Sequence, residues 1–276
     1  MVALITGANS GIGFITALSL AELGVDLLLI LRTEEKAQAT KEAILKNAPT
    51  CKIDSYVADL EDLESVKKVA EAIKEKYSVI DRIINNAGYS PHVIEFTSDG
   101  YEKSFVATHL GHFVLVTALL DLVEAAPEGR IISLSSMAHS FGKVERMFMK
   151  NNTTLTIMQA YGDDKLANLL FIKSLAVKLK KATAYSVHPG VVRTNFGSQF
   201  TGFFKLLINL MKPFMISPQQ GAATTLFLAT TDRSNLTNLS GGYFAKSRPK
   251  TTSNADITAE NAELIWQKSM QFIGDK

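Results

Sequence analysis

A tyrosine and a lysine, Tyr161 and Lys165, are spaced so that they could move a proton together. They stand four apart at the start of a predicted helix, so both side chains project from one face. A phenol with an ordinary pKa of about 10 is a poor acid or base at neutral pH, but a cation one helical turn away lowers that pKa. The pair is therefore a candidate acid and base, and an exposed surface pair is the alternative.

A serine upstream of the pair favours the catalytic interpretation. Ser136 follows the predicted strand 130–134, where its hydroxyl could reach the same substrate oxygen as the phenol of Tyr161. The neighbouring Ser135 is expected to support the turn instead.

A glycine-rich turn near the beginning of the chain is the second candidate for chemistry. It reads Thr6-Gly7-Ala8-Asn9-Ser10-Gly11-Ile12-Gly13 and lies between an apolar run and an apolar-periodic stretch. Gly7 permits the tight turn, Gly11 lets the backbone approach a phosphate, and Gly13 lets the helix pack closely on the strand. The N–H groups of the first helical turn then face the anion. An ordinary strand-to-helix turn is the alternative.

The elements that must position these residues alternate between strand and helix along the chain. Strands are predicted at 2–5, 25–31, 53–57, 79–85, 130–134, 183–187 and 241–244, and helices at 14–23, 33–47, 62–77, 99–126 and 161–181. Apolar strands separated by helices indicate a parallel sheet covered on both faces. We therefore predict one α/β domain over residues 1–276, doubly wound, with a central seven-stranded parallel sheet.

Composition excludes several other classes of protein. A net charge of +2 gives no field that would hold nucleic acid. The single cysteine, Cys51, cannot form an internal disulfide, and the first strand begins at Val2 without a leader, so a cytoplasmic location is expected. The histidines have no companion cysteine or carboxylate cluster, so we predict no metal site. The candidate ligands are four of the five histidines, His109, His112, His139 and His188.

These motifs resemble those of the short-chain dehydrogenase/reductase family, and the resemblance covers nearly the whole chain. The TGxxxGxG loop, the NNAG sequence at 85–88, the strand-end serine and YxxxK occur in the family's order. The stretches that look most like the retinol dehydrogenase and carbonyl reductase branch are 109–113, 135–139, 160–171 and 188–194. Residues 139–159 would then be an active-site insertion, and the fold would be the Rossmann fold.

The resemblance implies roles for individual side chains. Tyr161 would be the acid and base, Lys165 would hold the ribose and lower the pKa of Tyr161, and Ser136 would orient the carbonyl. Thr108 stands where the family has a catalytic asparagine that holds a helix kink and, through its main-chain carbonyl, a proton relay. Asp164 stands where a small serine is common, and on helical spacing we expect it to be solvated.

The resemblance also implies a nicotinamide cofactor. The implied contacts are Gly7, Asn9, Ser10, Gly11, Ile12, Gly13, Arg32, Asp59, Leu60, Asn86, Ala87, Gly88, Tyr161, Lys165, Pro189, Gly190, Val192 and Thr194. We predict NADP rather than NAD, because Leu31 stands where an acidic residue would bind the ribose 2′-OH and Arg32 offers several donors to a 2′-phosphate. Arg32 as an ordinary surface charge is the alternative.

An apolar segment, about 197–216, lies where the family places its variable substrate-covering segment. It is too short and too charged to span a bilayer, and core packing, a membrane or partner patch, and a substrate lid are its alternatives. A lid favours lipophilic carbonyl or alcohol substrates, such as retinoids, steroids or aromatic ketones. Phe203 and Phe204 are then predicted substrate contacts beside Ser136 and Tyr161.

The function that the resemblance implies is reversible hydride transfer between a nicotinamide and a carbonyl/alcohol pair. The rival is a catalytically impaired NADP-binding regulatory or scaffold protein, for which Thr108 is the main motive. A homodimer through the helices near 99–126 and 160–181 is expected, although some relatives with such an insertion are monomers.

Overall fold

The computed structural model describes residues 1–89, 91–192 and 215–274, and the centre of this part is an eight-stranded sheet. Its strands are β1 Val2–Thr6, β2 Asp26–Leu31, β3 Ile53–Val57, β4 Arg82–Asn85, β5 Arg130–Leu134, β6 Thr183–His188, β7 Tyr243–Ala245 and β8 Arg248–Pro249. The order is β3-β2-β1-β4-β5-β6-β7-β8. Because β1 lies between β2 and β4, the chain leaves to both sides of β1, and its carboxyl end is the switch point where such sheets bind ligands.

The parallel, doubly wound sheet is confirmed, but the predicted number of strands is wrong by one. β1 to β7 pair in parallel, and β8 pairs with β7 in the antiparallel direction. The turn between them places Lys246 and Ser247 at φ of 53° and 57°. Two consecutive left-handed residues make the tight hairpin that glycine and asparagine usually signal, so the sequence pattern did not indicate it.

Helices cover both faces of the sheet. Their bounds are α1 Gly11–Glu22, α2 Glu34–Leu45, α3 Leu63–Lys76, α4 Lys103–Phe105, α5 Gly111–Ala118, α6 Leu120–Ala125, α7 Ile157–Lys178, α8 Pro218–Thr230 and α9 Ala259–Gly274. Side chains alternate along each strand, so Ala3 and Ile5 pack under α1, α2 and α8, whereas Leu4 packs under α3, α5, α7 and α9. Two apolar layers therefore pack on the two faces of the sheet and fix the positions of the strand ends.

Side-chain caps begin several of these helices. Thr33 accepts from the Lys36 N–H at α2, and Asp62 accepts from the N–H groups of Glu64 and Ser65 at α3. α7 begins with a capping box between Thr156 and Gln159, four residues earlier than predicted from the sequence. Each cap satisfies backbone N–H groups that the helix cannot pair internally.

The helix predicted over 99–126 is not continuous. α4 leads into a π-helical turn, Val106–Leu110, which is followed by α5, and a break at Leu119 separates α5 from α6. A π turn inserts one extra residue into the helical ladder and so produces a kink. Thr108 is at the centre of this turn.

The last helix covers α5 and α7. The Trp266 ring lies 5.0 Å from that of Phe113 and 6.1 Å from that of Phe171, and His109 Nε2 is 2.9 Å from Ser269 Oγ. α9 therefore occupies a face that the sequence predicts as a contact with a second copy of the chain.

Across the described ranges, no helix is both long enough and apolar enough to cross a membrane.

Candidate active site

A cleft of about 630 Å³ opens at the carboxyl ends of the central strands. Its lining includes Gly7, Asn9, Ser10, Gly11, Ile12, Gly13, Arg32, Leu60, Asn86, Ala87, Gly88, Tyr161, Lys165 and Pro189, all of them predicted cofactor contacts. The cleft lining also contains residues that were not predicted to contact a ligand: Ile30, Leu31, Lys36, Ala58, Tyr89, Ala107, Leu134, Ser135 and Pro218. The structure thus brings distant strand ends together, as the parallel topology requires.

The glycine loop is a cradle in which side chains would not fit. Gly7 and Gly11 have φ of 67° and 57°, a conformation that other residues rarely adopt. A Cβ on Gly7 would lie 3.0 Å from Cβ of Ala87, and one on Gly13 would collide with Asn86 Nδ2 and the Gly7 carbonyl. The loop is therefore packed directly against the end of β4.

A hydrogen-bond chain beneath the loop sets the protonation of one histidine. Thr6 Oγ1 accepts from the N–H groups of Asn86 (3.0 Å) and Ala87 (2.9 Å), which leaves its single hydrogen for His112 Nε2 at 2.8 Å. His112 must then carry its proton on Nδ1, which donates to the Thr108 carbonyl at 2.8 Å. Burial lowers the pKa of His112 to about 4, so the ring is neutral.

Thr108 occupies the helix kink without an asparagine to hold it. Its carbonyl accepts from His112, and its hydroxyl has no partner among the described residues. A Cβ placed on Gly88 would lie 3.2 Å from Lys165 Nζ and 3.6 Å from Thr108 Oγ1, so both groups approach the same glycine. The kinked turn and the lysine are therefore neighbours, and the role of Thr108 in a relay stays a prediction.

The two serines after β5 have separate contacts. Ser135 Oγ donates to the Lys165 carbonyl at 2.7 Å, and this bond ties the strand end to α7. The Ser136 hydroxyl forms a hydrogen bond with the Tyr161 phenol and accepts from Ala138 N–H at 3.2 Å. Ser135 therefore supports the backbone, and Ser136 is beside the phenol.

Tyr161 and Lys165 meet on one face of α7, as their spacing predicts. Lys165 Nζ lies 5.5 Å from the centre of the Tyr161 ring. Burial raises the pKa of Tyr161, and the hydrogen bond from Ser136 opposes this. Burial also lowers the pKa of Lys165. Burial therefore sets the net direction of the Tyr161 pKa in this arrangement, and the lowering expected from Lys165 stays a prediction.

The position of Asp164 contradicts the expectation that this residue is solvated. Its side chain is fully buried rather than solvated, and its Oδ2 lies 2.8 Å from Ser104 Oγ. The angular offset from Lys165 directs Asp164 toward the segment that contains α4, not toward water. Helical spacing alone indicated which direction the side chain takes but not what lies there.

A cationic corner closes the other end of the cleft. Arg32 has a side chain that is 54% exposed, and its Nε lies 3.4 Å from Asp59 Oδ2. Lys36, in the first turn of α2, lines the same corner. The sequence signal that could have identified Lys36 was its position three residues after Thr33, the N-cap of α2. Asp59 is not part of the cleft lining but holds Arg32 there.

The segment after β6 lies beside the glycine loop. A Cβ on Gly221 would lie 2.6 Å from Val192 Cγ2 and 3.2 Å from Ile12 Cγ1, so this glycine gives both side chains room. Gly190 has a left-handed φ of 92°, and neither Gly190 nor Val192 lines the cleft. Thr194, Phe203, Phe204 and residues 197–214 of the predicted covering segment lie outside the described residues.

Three of the histidines have structural partners. Besides His112, His109 is buried against Ser269, and His139 Nδ1 contacts the Ser136 carbonyl at 2.6 Å. Within 1–89, 91–192 and 215–274, no three His, Cys, Asp or Glu side chains are grouped so that they could hold a metal ion.

The fold and this cleft define a nucleotide-binding α/β domain with a tyrosine, lysine and serine centre. The family model described as short chain dehydrogenase matches residues 1–202. Retinol dehydrogenase 12 of Mus musculus is 34% identical over 99% of this chain and 86% of its own length. The WW domain-containing oxidoreductase of Drosophila melanogaster is 36% identical over 99% of this chain and 68% of its own length.

One solved structure is similar to this chain over nearly its whole length. An uncharacterized protein from Mycobacterium paratuberculosis has a TM-score of 0.74 and 28% identity over 98% of this chain and 92% of that chain. The chain belongs to the short-chain dehydrogenase family, in its retinol dehydrogenase-like branch, which confirms the resemblance found in the sequence.

Proposed function

We propose that this protein is an NADP-dependent oxidoreductase that transfers hydride between the nicotinamide and a carbonyl/alcohol pair on a lipophilic substrate. The observation that carries the proposal is that Tyr161 and Lys165 line the same cleft as the glycine cradle, with the Ser136 hydroxyl hydrogen-bonded to the Tyr161 phenol.

The residues of the cleft fit a dinucleotide. Gly7, Gly11 and Gly13 line the cleft, so backbone without side chains faces the space where a pyrophosphate would lie. The first turn of α1 begins at Gly11, with N–H groups free to bind an anion. The cationic corner and the tyrosine centre then match the two ends of such a cofactor.

The reaction needs a proton at the oxygen that gains charge. When bound, the nicotinamide supplies the hydride in reduction or accepts it in oxidation. Tyr161 donates the proton to the carbonyl oxygen as charge develops there, and Ser136 donates a hydrogen bond that orients the same oxygen. The ammonium of Lys165, held by the Ser135 contact to its backbone, stabilises the phenolate that remains.

The charge of the corner supports NADP rather than NAD. Leu31, at the end of β2, cannot accept hydrogen bonds from a ribose 2′-OH, and the two cations beyond it suit a 2′-phosphate. Arg32 is already oriented by Asp59, which reduces the ordering that phosphate binding would require. Lys36 adds a second point charge to the planar donors of Arg32.

A lipophilic substrate is supported by the surface next to the catalytic serine. The 3₁₀ turn Met137–Phe141 follows Ser136 directly, and Met137 and Phe141 are 48% and 60% exposed. Exposed apolar side chains at the rim of a site favour an apolar ligand. The names of several relatives refer to retinol, a molecule of this chemical class.

A steady-state screen tests this proposal. Carbonyl compounds graded in hydrophobicity are reduced with NADPH or NADH by the parent protein, by Tyr161→Phe, and by the double variant Phe203→Ala/Phe204→Ala. We expect the highest kcat/KM with NADPH and apolar ketones or aldehydes, a kcat lower by about 10²- to 10⁴-fold in Tyr161→Phe, and a weaker apolar preference in the double variant. Best activity on small polar carbonyls would contradict the substrate class, and no turnover with any compound would contradict the function.

Location and assembly stay predictions from the sequence. They are the cytoplasmic location, a peripheral membrane contact and a homodimer. Fractionation of cells and sedimentation at micromolar concentration test them.

A further inference from the structure

Two buried carboxyl groups share one serine hydroxyl beside the catalytic helix. Ser104 Oγ lies 2.7 Å from Glu102 Oε2 and 2.8 Å from Asp164 Oδ2. Ser104 and Asp164 are 0% exposed, and Glu102 is 7% exposed. The remaining oxygens, Glu102 Oε1 and Asp164 Oδ1, have no hydrogen-bond partner among the described residues.

The number of hydrogens decides the charge of this cluster. A serine hydroxyl has one hydrogen and can donate to only one of the two carboxyl groups. Both short contacts are hydrogen bonds only if the other carboxyl carries a proton and donates to Ser104. If both carboxyl groups were ionised, one carboxylate oxygen would face a lone pair of Ser104 Oγ with no hydrogen between them. Such a contact is strongly unfavourable away from water.

The further contacts of the pair show which carboxyl holds the proton. Glu102 Oε2 also accepts from the Phe105 N–H at 2.7 Å, so this oxygen receives two donors and suits an anion. Asp164 Oδ2 has only Ser104. The geometry therefore gives the direction Asp164 O–H to Ser104 O–H to Glu102 carboxylate.

The charged groups around the cluster agree with this direction. Glu102, Asp163 and Lys165 face Asp164, Glu61 faces Glu102, and the Tyr89 phenol is close to both carboxyl groups. Burial and the charge of Glu102 raise the pKa of Asp164 well above its ordinary value, and Lys165 opposes that shift. Asp163 differs, because Arg146 pairs with it at 2.6 Å.

We propose that Asp164 is a positioning residue that works as a neutral carboxylic acid, bonding through Ser104 to Glu102 and so holding the kinked segment of Thr108 against the helix of Tyr161 and Lys165. α4, which contains Ser104, leads directly into the π turn of Thr108. The acid therefore joins α7 to this segment at a position where the family commonly has a serine. Because it is uncharged, it leaves the ammonium of Lys165 free to act on Tyr161. This last effect rests on the proposed function.

Counting protons on unfolding tests the protonation without using turnover. The proton balance of unfolding at pH 8 is measured by calorimetry in buffers of different ionisation enthalpy, for the parent, Asp164→Asn and the matched control Asp163→Asn. An acid that is protonated when folded ionises on unfolding, so we expect the parent and Asp163→Asn to release one more proton than Asp164→Asn. Equal release by the parent and Asp164→Asn overturns the proposal.

Isosteric and truncated variants test the positioning. The amide of Asp164→Asn can still donate to Ser104, so its midpoint of thermal unfolding should stay near that of the parent. Asp164→Ala should lower the midpoint by about 5 °C, and Glu102→Gln should also lower it because the anionic acceptor is lost. If Glu102→Gln keeps the parent midpoint of thermal unfolding and Asp164→Asn lowers it, the proton is on Glu102 and the assignment is contradicted.

Kinetics then separate positioning from packing alone. We expect Asp164→Ala to lower kcat roughly tenfold with a smaller change in the KM of the carbonyl substrate, and Asp164→Asn to restore kcat and the pH profile. A kcat unchanged in a folded Asp164→Ala overturns the positioning role. If no variant has activity, the proton count still decides the charge of Asp164, and only the proposed function fails.

Discussion

Ser135 Oγ donates a 2.7 Å hydrogen bond to the main-chain carbonyl of Lys165. The bond joins the end of β5 to α7, and Asn168 Nδ2 adds a second link, 3.1 Å from the Leu134 carbonyl. Two such contacts fix where the helix crosses the strand end, and therefore fix the phenol of Tyr161 beside Ser136.

Removing the phenolic hydroxyl should stop turnover and spare cofactor binding. Tyr161→Phe loses the proton donor, and we expect kcat to fall by about 10²- to 10⁴-fold while the Kd of NADPH changes little. Lys165→Ala should impair both, since Lys165 is predicted to hold the ribose. Stopped-flow turnover and NADPH fluorescence titration measure the two effects. A Tyr161→Phe protein with nearly the parent rate would show that another group is the acid.

The cationic corner should discriminate between the two cofactors. We expect Arg32→Ala and Lys36→Ala each to raise the Kd of NADPH by roughly tenfold, with little change for NADH, because each removes a charge-assisted contact to the 2′-phosphate. Lys46→Ala is the matched control, because Lys46 is an exposed lysine at the far end of α2. Titration of each variant with both cofactors measures the ratio, and equal affinities in the parent would refute the predicted preference.

A methyl group at the third glycine should disrupt the cradle. The Cβ of Gly13→Ala would collide with Asn86 Nδ2 and the Gly7 carbonyl, so we expect a loss of about 1–3 kcal/mol in the free energy of unfolding and weaker NADPH binding. Gly274→Ala is the control, since nothing lies within 4 Å of its Cβ. Urea unfolding and fluorescence titration provide the readouts. Normal stability and affinity in Gly13→Ala would contradict the close packing described above.

Two of the four buried histidines, His109 and His112, should make the protein less stable in mild acid. Burial lowers the pKa of His109 to about 3 and that of His112 to about 4, from an ordinary 6.5. Below pH 6.5 the unfolded chain binds protons that the folded chain does not, so the free energy of unfolding falls as pH falls. The limiting slope is about 1.4 kcal/mol per pH unit for each histidine.

Denaturant unfolding between pH 7 and pH 5 measures this slope. We expect His112→Gln and His109→Gln each to reduce it, whatever they do to stability at pH 7. His92→Gln, at an exposed position, is the control. If the pH dependence of the free energy of unfolding is unchanged in both His109→Gln and His112→Gln, other groups cause the acid sensitivity.

The tertiary structure decided several features because they depend on residues far apart in the chain. The burial of Asp164 follows from the position of Ser104, 60 residues away, and the net direction of the Tyr161 pKa follows from how much water surrounds the phenol. The π turn at Thr108 and the coverage of α5 and α7 by α9 are likewise tertiary. A helical repeat cannot reveal which element will pack against each face.

The sequence by itself determined the parallel α/β order, the family and many of the residues that line the cleft. These features are local: apolar runs define strands, glycines define a turn that no Cβ can enter, and the four-residue spacing places Tyr161 and Lys165 on one helical face. Lys36 and the antiparallel β8 needed the folded chain, because each becomes significant only beside Arg32 or β7. Local geometry is encoded in neighbouring residues, whereas burial and charge depend on what the rest of the chain brings into contact.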